Sequence, residues 1–395
     1  MGTPLRCKRA SWHGRQAYVL RNGVVQLTTL TGGGHIADFH LDQGPSEDRI
    51  NPLWVPPWRT IEPSRYKQKK HPAYGSITEA KLLSGIAGHS ICLDFFGPPS
   101  EEESRHGISE HGEAPSRRWR MSGIARGSTR VGLRLSVSLP VAQLRLVRTI
   151  ELRAREPIAY FTESVRNDRP IDHLFHWVQH VTLGPSFLAP GSSTVSIPGT
   201  KSLTYPYGYD EGKALLISNK RFRWPNAPLK SGSTIDLTSP FEKKGLGFVV
   251  SVLLDKTRPL TFVAAVNRKL GLLIAYCFKR ADFPWVAVWE ENRALGALPW
   301  NGQTQARGLE FGTTPFPLTR REAFAMGKLF GEPTCTFVPA RGKKIVRYFA
   351  FLSKLPETFG DVRDIEVMKS GIQVQGSGSN QCVVVETPHA AKFLK

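Results

Sequence analysis

The stretch Leu174–Phe187, LFHWVQHVTLGPSF, governs how the rest of the chain is read. It is rich in aromatic and β-branched residues and reads as a strand, yet it sets His176 and His180 four residues apart. Successive strand side chains point to opposite faces. Phe175, Trp177, Gln179, Val181 and Leu183 therefore share one face, which reads as packing. His176, Val178, His180 and Thr182 share the other. A face with two imidazoles and a hydroxyl is either exposed surface or the wall of a polar cleft.

Similar runs recur along the 395 residues: Gly23–Leu30, Ile36–Leu41, Val131–Leu139, Leu144–Leu152, Ala159–Arg166, Gly247–Leu254, Leu260–Val266, Leu272–Phe278, Trp285–Trp289, Cys335–Val338, Lys344–Leu352 and Ile372–Val374. Turn residues separate most of them, and the 36 Gly and 29 Pro suit many short strands. The expected class is all-β, a large antiparallel β-sandwich with few short helices. The best helix is TRREAFAMGKLF (Thr319–Phe330), with Thr319 as its cap and Gly331 as its stop. We expect one domain over 1–395, with a long polar loop insertion near 97–116 and a C-terminal extension after about 353. That loop, GPPSEEESRHGISEHGEAPS, cannot be a core strand and reads as functional or mobile.

The five scattered cysteines contain no CxxC pair, which argues against a disulfide framework and for a reducing compartment. The first twenty residues hold no apolar run, and no stretch reaches the roughly 20 apolar residues of a membrane span. A cytoplasmic protein without membrane partners is expected. The net charge of +20 raises the question of nucleic acid. Between Pro115 and Ile150 lie eight arginines (117, 118, 120, 126, 130, 134, 145 and 148) and no carboxylate. Their alternation with apolar residues reads as the solvated face of a sheet, and no nucleic-acid-binding motif accompanies them, so no nucleic-acid partner is expected.

Three stretches carry candidate chemistry. HGISEHGEAPSRRW (His106–Trp119) has two His-Gly pairs in one loop. The opening strand has His176 and His180. TQARGLEFGTTPFP (Thr304–Pro317) sets Glu310 among apolar and Gly neighbours. Desolvation raises the pKa of such a carboxylate and suits it to serve as a base near neutral pH, with a histidine opposite as the acid. The alternative for Glu310 is a surface residue or an ion pair with Arg307. His111, His176 and His180 form a conceivable zinc set, without an HxH or HExxH spacing to support it. In WVAVWEENR (Trp285–Arg293), Trp289 and Glu291 share a strand face, as a stacking wall for a sugar or as an ordinary core tryptophan beside solvated charge.

In order and spacing these stretches resemble the aldose 1-epimerase (galactose mutarotase-like) superfamily. TLTGGGHIADFHL (Thr29–Leu41) resembles the family's strand, Gly-Gly, strand opening. HGEAPSRRW (His111–Trp119) resembles its His-Gly motif, WVQHVTLGPSF (Trp177–Phe187) its histidine strand, and GLEFGTTPFP (Gly308–Pro317) its glutamate segment. The likeness covers most of Gly23 to about Leu352. It departs where Phe311 and Gly312 replace Pro and Gln after the glutamate, and where Gln179 replaces Asn before the histidine. The family's substrate Arg is missing, with His89 in its region, and its substrate Asp has only Asp210 and Asp255 as candidates.

The resemblance implies a β-sandwich whose sheet binds a monosaccharide or sugar phosphate. It implies Glu310 and His180 as the catalytic pair, no cofactor and no metal. His111, and beside it His176, His89, Trp289 and Glu291, would bind the substrate. The alternatives are a non-catalytic carbohydrate-binding protein, or a glycoside hydrolase or lyase pairing Glu310 with Glu291 or Glu113.

Overall fold

In the computed structural model the described residues are 5–42, 49–75, 78–209 and 214–395. Two antiparallel sheets face one another, as expected for a sandwich. The larger has thirteen strands. From one edge it runs through Arg6–Trp12, Arg15–Arg21, Val25–Leu30 and Ile36–Leu41, a simple meander. It continues through His89–Cys92, Val178–Leu183, Gln305–Gly312, Trp285–Asn292, Leu246–Leu254 and Gly199–Thr204 to three short strands at the far edge. The second sheet has eight strands, with Leu272–Lys279, Lys343–Lys354, Ile158–Asn167 and Leu144–Arg153 as neighbours at its centre.

Aromatic side chains fill the space between the sheets. Phe311 of the large sheet stacks on Phe278 of the smaller at 4.3 Å and meets Tyr348 at 5.7 Å. Each such ring, fully buried, contributes about 1.5–3 kcal/mol of hydrophobic stabilisation. A third layer covers the outer face of the eight-stranded sheet. Its strands Val362–Val367, Gly371–Gly376 and Cys382–Glu386 bring Ile365, Ile372 and Val374 onto Tyr160, Phe262 and Phe349. This explains the unbroken apolar run LLIAYCF. Leu272, Ile274, Tyr276 and Phe278 enter the inter-sheet core, while Leu273, Ala275 and Cys277 enter the outer one.

One charged network is sealed between the sheets. Arg148 Nε donates to Glu163 Oε1 at 2.6 Å, and its guanidinium also donates to the Gly34 carbonyl at 2.7 Å. Glu163 accepts further from Trp177, Gln179 and Tyr348. A buried ion pair is tolerated when its remaining lone pairs are filled in this way. Arg148 is thus no part of the solvated basic face, to which Arg120, Arg126, Arg130, Arg134 and Arg145 do belong.

The structure departs from the sequence reading at three elements. The run from Leu174 to Leu183 is two strands, not one. His173–Phe175 pairs with Thr336–Val338 in a separate small sheet, and the chain rejoins the large sheet at Val178. Between them the His176 amide donates to Asp94 O, and the Trp177 amide to Thr313 Oγ1, so both are satisfied outside any ladder. The helix starts as expected, with Thr319 and Glu322 forming a capping box, but spans Arg320–Met326 and ends at Gly327 (φ 61°), four residues before Gly331. The Gln305–Gly312 strand, absent from the runs read in the sequence, lies at the centre of the large sheet. Its glycines at both ends of the apolar run hide the alternation. The 97–116 segment holds no strand. It contains a capped helix, Glu101–Arg105, and a single turn, Ala114–Ser116.

Candidate active site

Strand register brings the site together. His180 lies directly opposite Glu310, whose other cross-strand neighbour is Ala287. Gln179, Val181 and Phe311 point into the sandwich, so His180, Thr182 and Glu310 project from the other face of the large sheet. His180 Nε2 is 3.2 Å from Glu310 Oε1, and its Nδ1 is 3.0 Å from Thr182 Oγ1. Gly308, two residues before the glutamate, lies under its side chain. A Cβ there would sit 2.2 Å from Oε1, so the bare glycine makes room for the carboxyl.

The His111 loop adds a second imidazole. Its ring centroid is 4.8 Å from that of His180. Nδ1 is 2.6 Å from the Phe96 carbonyl, which only accepts, so Nδ1 carries the proton and Nε2 is left as an acceptor. The loop turns sharply here, with φ of 65° at His111 and 82° at Gly112. A Cβ on Gly112 would come within 2.4 Å of Leu93 O. The His-Gly pair is therefore the geometry that delivers the ring.

These groups line a cavity of about 450 Å³, within the usual size of a small-molecule site. Aromatic walls rise from loops beside the sheet. Trp289 is 6.2 Å from His180, ring to ring, and 6.1 Å from Trp300, which stacks with Trp54 at 6.2 Å. Tyr209 closes one side and receives the Trp289 indole bond at 3.2 Å. Two further carboxyls, Glu79 and Glu110, also line the space.

Burial controls the protonation of the pair. It pushes the Glu310 carboxyl well above its ordinary 4.5 and the His180 imidazole well below its ordinary 6.5, the latter aided by His111. His111 is itself lowered to about 4 by burial, against the pull of the Phe96 carbonyl. At neutral pH the pair thus holds one proton between two groups in contact.

The other residues singled out in the sequence divide. Trp289 lines the cavity. Glu291 lies behind it, its carboxylate accepting from the Tyr209 hydroxyl at 2.5 Å and from the backbone amides of Ala294 and Leu295, so it positions the wall. His89 points the opposite way, between the sheets, with Nε2 3.0 Å from Gln179 Oε1 and its ring against Tyr276. His176 packs against Phe324 outside the cavity, so the three histidines of the zinc set do not meet. Asp255 closes a surface turn with Thr257, and Asp210 lies outside the described residues. Arg307 pairs with Glu290 rather than with Glu310. Glu113 accepts from the Val141 and Ala142 amides and pairs with Arg117, away from the cavity. Sequence reasoning missed Trp54, Trp300, Glu79 and Glu110. The tryptophans of LWVPPW and ALPW, set in proline-bearing loops, were the available signal.

No family model matches the sequence, and no curated protein matches it. Solved structures do. A proposed aldose 1-epimerase from Klebsiella pneumoniae aligns over 87% of this chain and 80% of its own, at 14% identity and a TM-score of 0.63. A galactose mutarotase-like protein from Clostridium acetobutylicum aligns over 89% and 99%, at 10% identity and a TM-score of 0.58. A galactose mutarotase related enzyme from Lactobacillus acidophilus aligns over 86% and 98%, at 11% identity and a TM-score of 0.53. At such identities the likeness is one of fold.

Proposed function

With the galactose mutarotase-like fold as premise, we propose that this protein is a sugar epimerase of the aldose 1-epimerase type, interconverting the anomers of a monosaccharide. The observation that carries the reading is the contact of Glu310 with His180 at 3.2 Å, on the floor of an aromatic-walled cavity. Ring opening of a hemiacetal needs one group to take a proton from the anomeric hydroxyl and another to give one to the ring oxygen. The pair holds the single proton this requires. Its neutral form, carboxylic acid beside imidazole, is a tautomer of carboxylate beside imidazolium, and the coupled pair supplies either.

From the ion-pair tautomer, the Glu310 carboxylate takes the anomeric proton as His180 protonates the ring oxygen. The C1–O5 bond breaks and its electrons leave on O5, while C1 becomes the aldehyde carbon. Rotation about C1–C2 presents the other face. Reclosure then returns the ring-hydroxyl proton to His180 and the Glu310 proton to the new anomeric oxygen. His111, with Nε2 free to accept, orients a sugar hydroxyl beside His180. Trp289 and Trp300 cover the apolar faces of the ring. A cytoplasmic setting belongs to the same proposal and is supported by five free cysteines.

The test is exchange NMR of anomer interconversion across a panel of aldoses. Glu310→Gln and His180→Asn should each lower the catalysed rate by about 10²–10⁴-fold, the usual worth of a positioned acid or base. Undiminished rates in both would overturn the assignment.

A further inference from the structure

Glu79 and Glu110 have no role in the proton transfers above, yet both line the same cavity as Glu310. Glu79 leads into the Ala80–Leu83 helical turn, and Glu110 immediately precedes His111. Burial raises the pKa of each, and the charge of Glu79 raises Glu110 further, so the two lie close enough to repel. Among the described residues lining the cavity there is no lysine or arginine. A third feature sits beside them. The Trp300 indole N–H, on a ring only 6% exposed, lies next to Glu79 without a well-aligned acceptor in the protein.

Like-charged carboxyls gathered in a desolvated space are costly unless protonated or matched by a cation. Here no side chain among those described supplies the cation. A ligand can. An ammonium group donates to both carboxylates and gains from an adjacent tryptophan face. A phosphate or carboxylate on the sugar would instead add negative charge to three carboxyls.

Resting on the sugar-site reading above, we propose that the cavity selects an amino sugar with a free, protonated amine, its ammonium held by Glu79 and Glu110 beside Trp300. Neutral sugars of the same shape bind more weakly, and phosphorylated or acidic sugars bind weakest. The amine lies away from the reacting carbon, so the same contacts serve both anomers and the open-chain aldehyde.

Calorimetric titration of the full chain near neutral pH tests this with D-glucosamine, D-galactosamine, their parent sugars, N-acetyl-D-glucosamine and glucose 6-phosphate. The amino sugars should bind at least about tenfold more tightly than glucose and galactose. N-acetylation should abolish the gain, and the phosphate should bind weakest. In the Glu79→Gln/Glu110→Gln double variant the ratio of amino to neutral affinity should fall to within about threefold. Equal affinities for amino and neutral sugars in the unaltered protein would overturn the proposal without any variant, as would a ratio that the double variant leaves unmoved. Binding is read apart from turnover. Amine preference without anomer exchange would sink the epimerase reading alone, and exchange without amine preference would sink this inference alone.

Discussion

Glu310 holds its proton where a carboxylate would be poorly solvated, and that has a price in stability. In the unfolded chain it titrates near its ordinary 4.5, whereas burial keeps it protonated in the fold to a much higher pH. As pH rises past 4.5 the unfolded state loses the proton first, so the group contributes less stability at neutral pH than in acid. Glu310→Gln removes that penalty. Thermal melts should show a higher Tm for the variant at neutral pH, with the difference closing below pH 4.5. An unchanged Tm at neutral pH would contradict the burial argument. The glycine beneath it is as exacting. Gly308→Ala drives a methyl into the position of Oε1 and turns the carboxyl from His180. We expect a loss of about 10²-fold in the anomer exchange rate with an unaltered circular dichroism spectrum. At this scale His180, Glu310 and His111 were legible, because residue type and spacing matched a chemistry. His89 and His176 were equally visible, yet nothing local distinguishes a ring that faces the cavity from one that faces the core.

Strands explain that difference. Alternation predicts a shared face only while the chain stays in one sheet, and here it leaves between Phe175 and Val178. His176 therefore loses the parity that would have set it beside His180. The same rule, followed more closely, locates Arg148. In LRLVRTIEL the inward positions are Leu144, Leu146, Arg148 and Ile150, so parity alone turns this arginine inside, where Glu163 meets it. Arg148→Met leaves Glu163 buried without its cation. Denaturant unfolding should show a loss of about 3–5 kcal/mol, the usual cost of breaking a buried pair. The Trp119 ring, read as part of the His-Gly motif, belongs to this layer too. It lies against Gly34 and under the Arg148 guanidinium at 5.1 Å, so it supports the loop that carries His111 rather than the cavity itself.

At the scale of the molecule, three layers share two cores, and the middle sheet is buried on both faces. Removing residues 357–395 would uncover Tyr160, Phe262, Phe349 and Phe351 on that sheet. The shortened chain should aggregate, with increased binding of a hydrophobic dye and loss of the monomeric species in size-exclusion chromatography; a soluble truncation with an unchanged melt would refute the coverage. The charge of +20 spreads over a solvated arginine face, whereas the cavity that we propose takes the substrate is walled by carboxyls and aromatic rings. The amino-acid order alone determined the β class, most strand positions and three residues of the cavity, because period-two patterning and rare side chains are local properties. Tertiary structure alone decided which histidines converge, where Glu79, Glu110, Trp54 and Trp300 meet, and how far each carboxyl is desolvated. Those depend on strand order and loop packing between residues far apart in the chain, which no local pattern encodes.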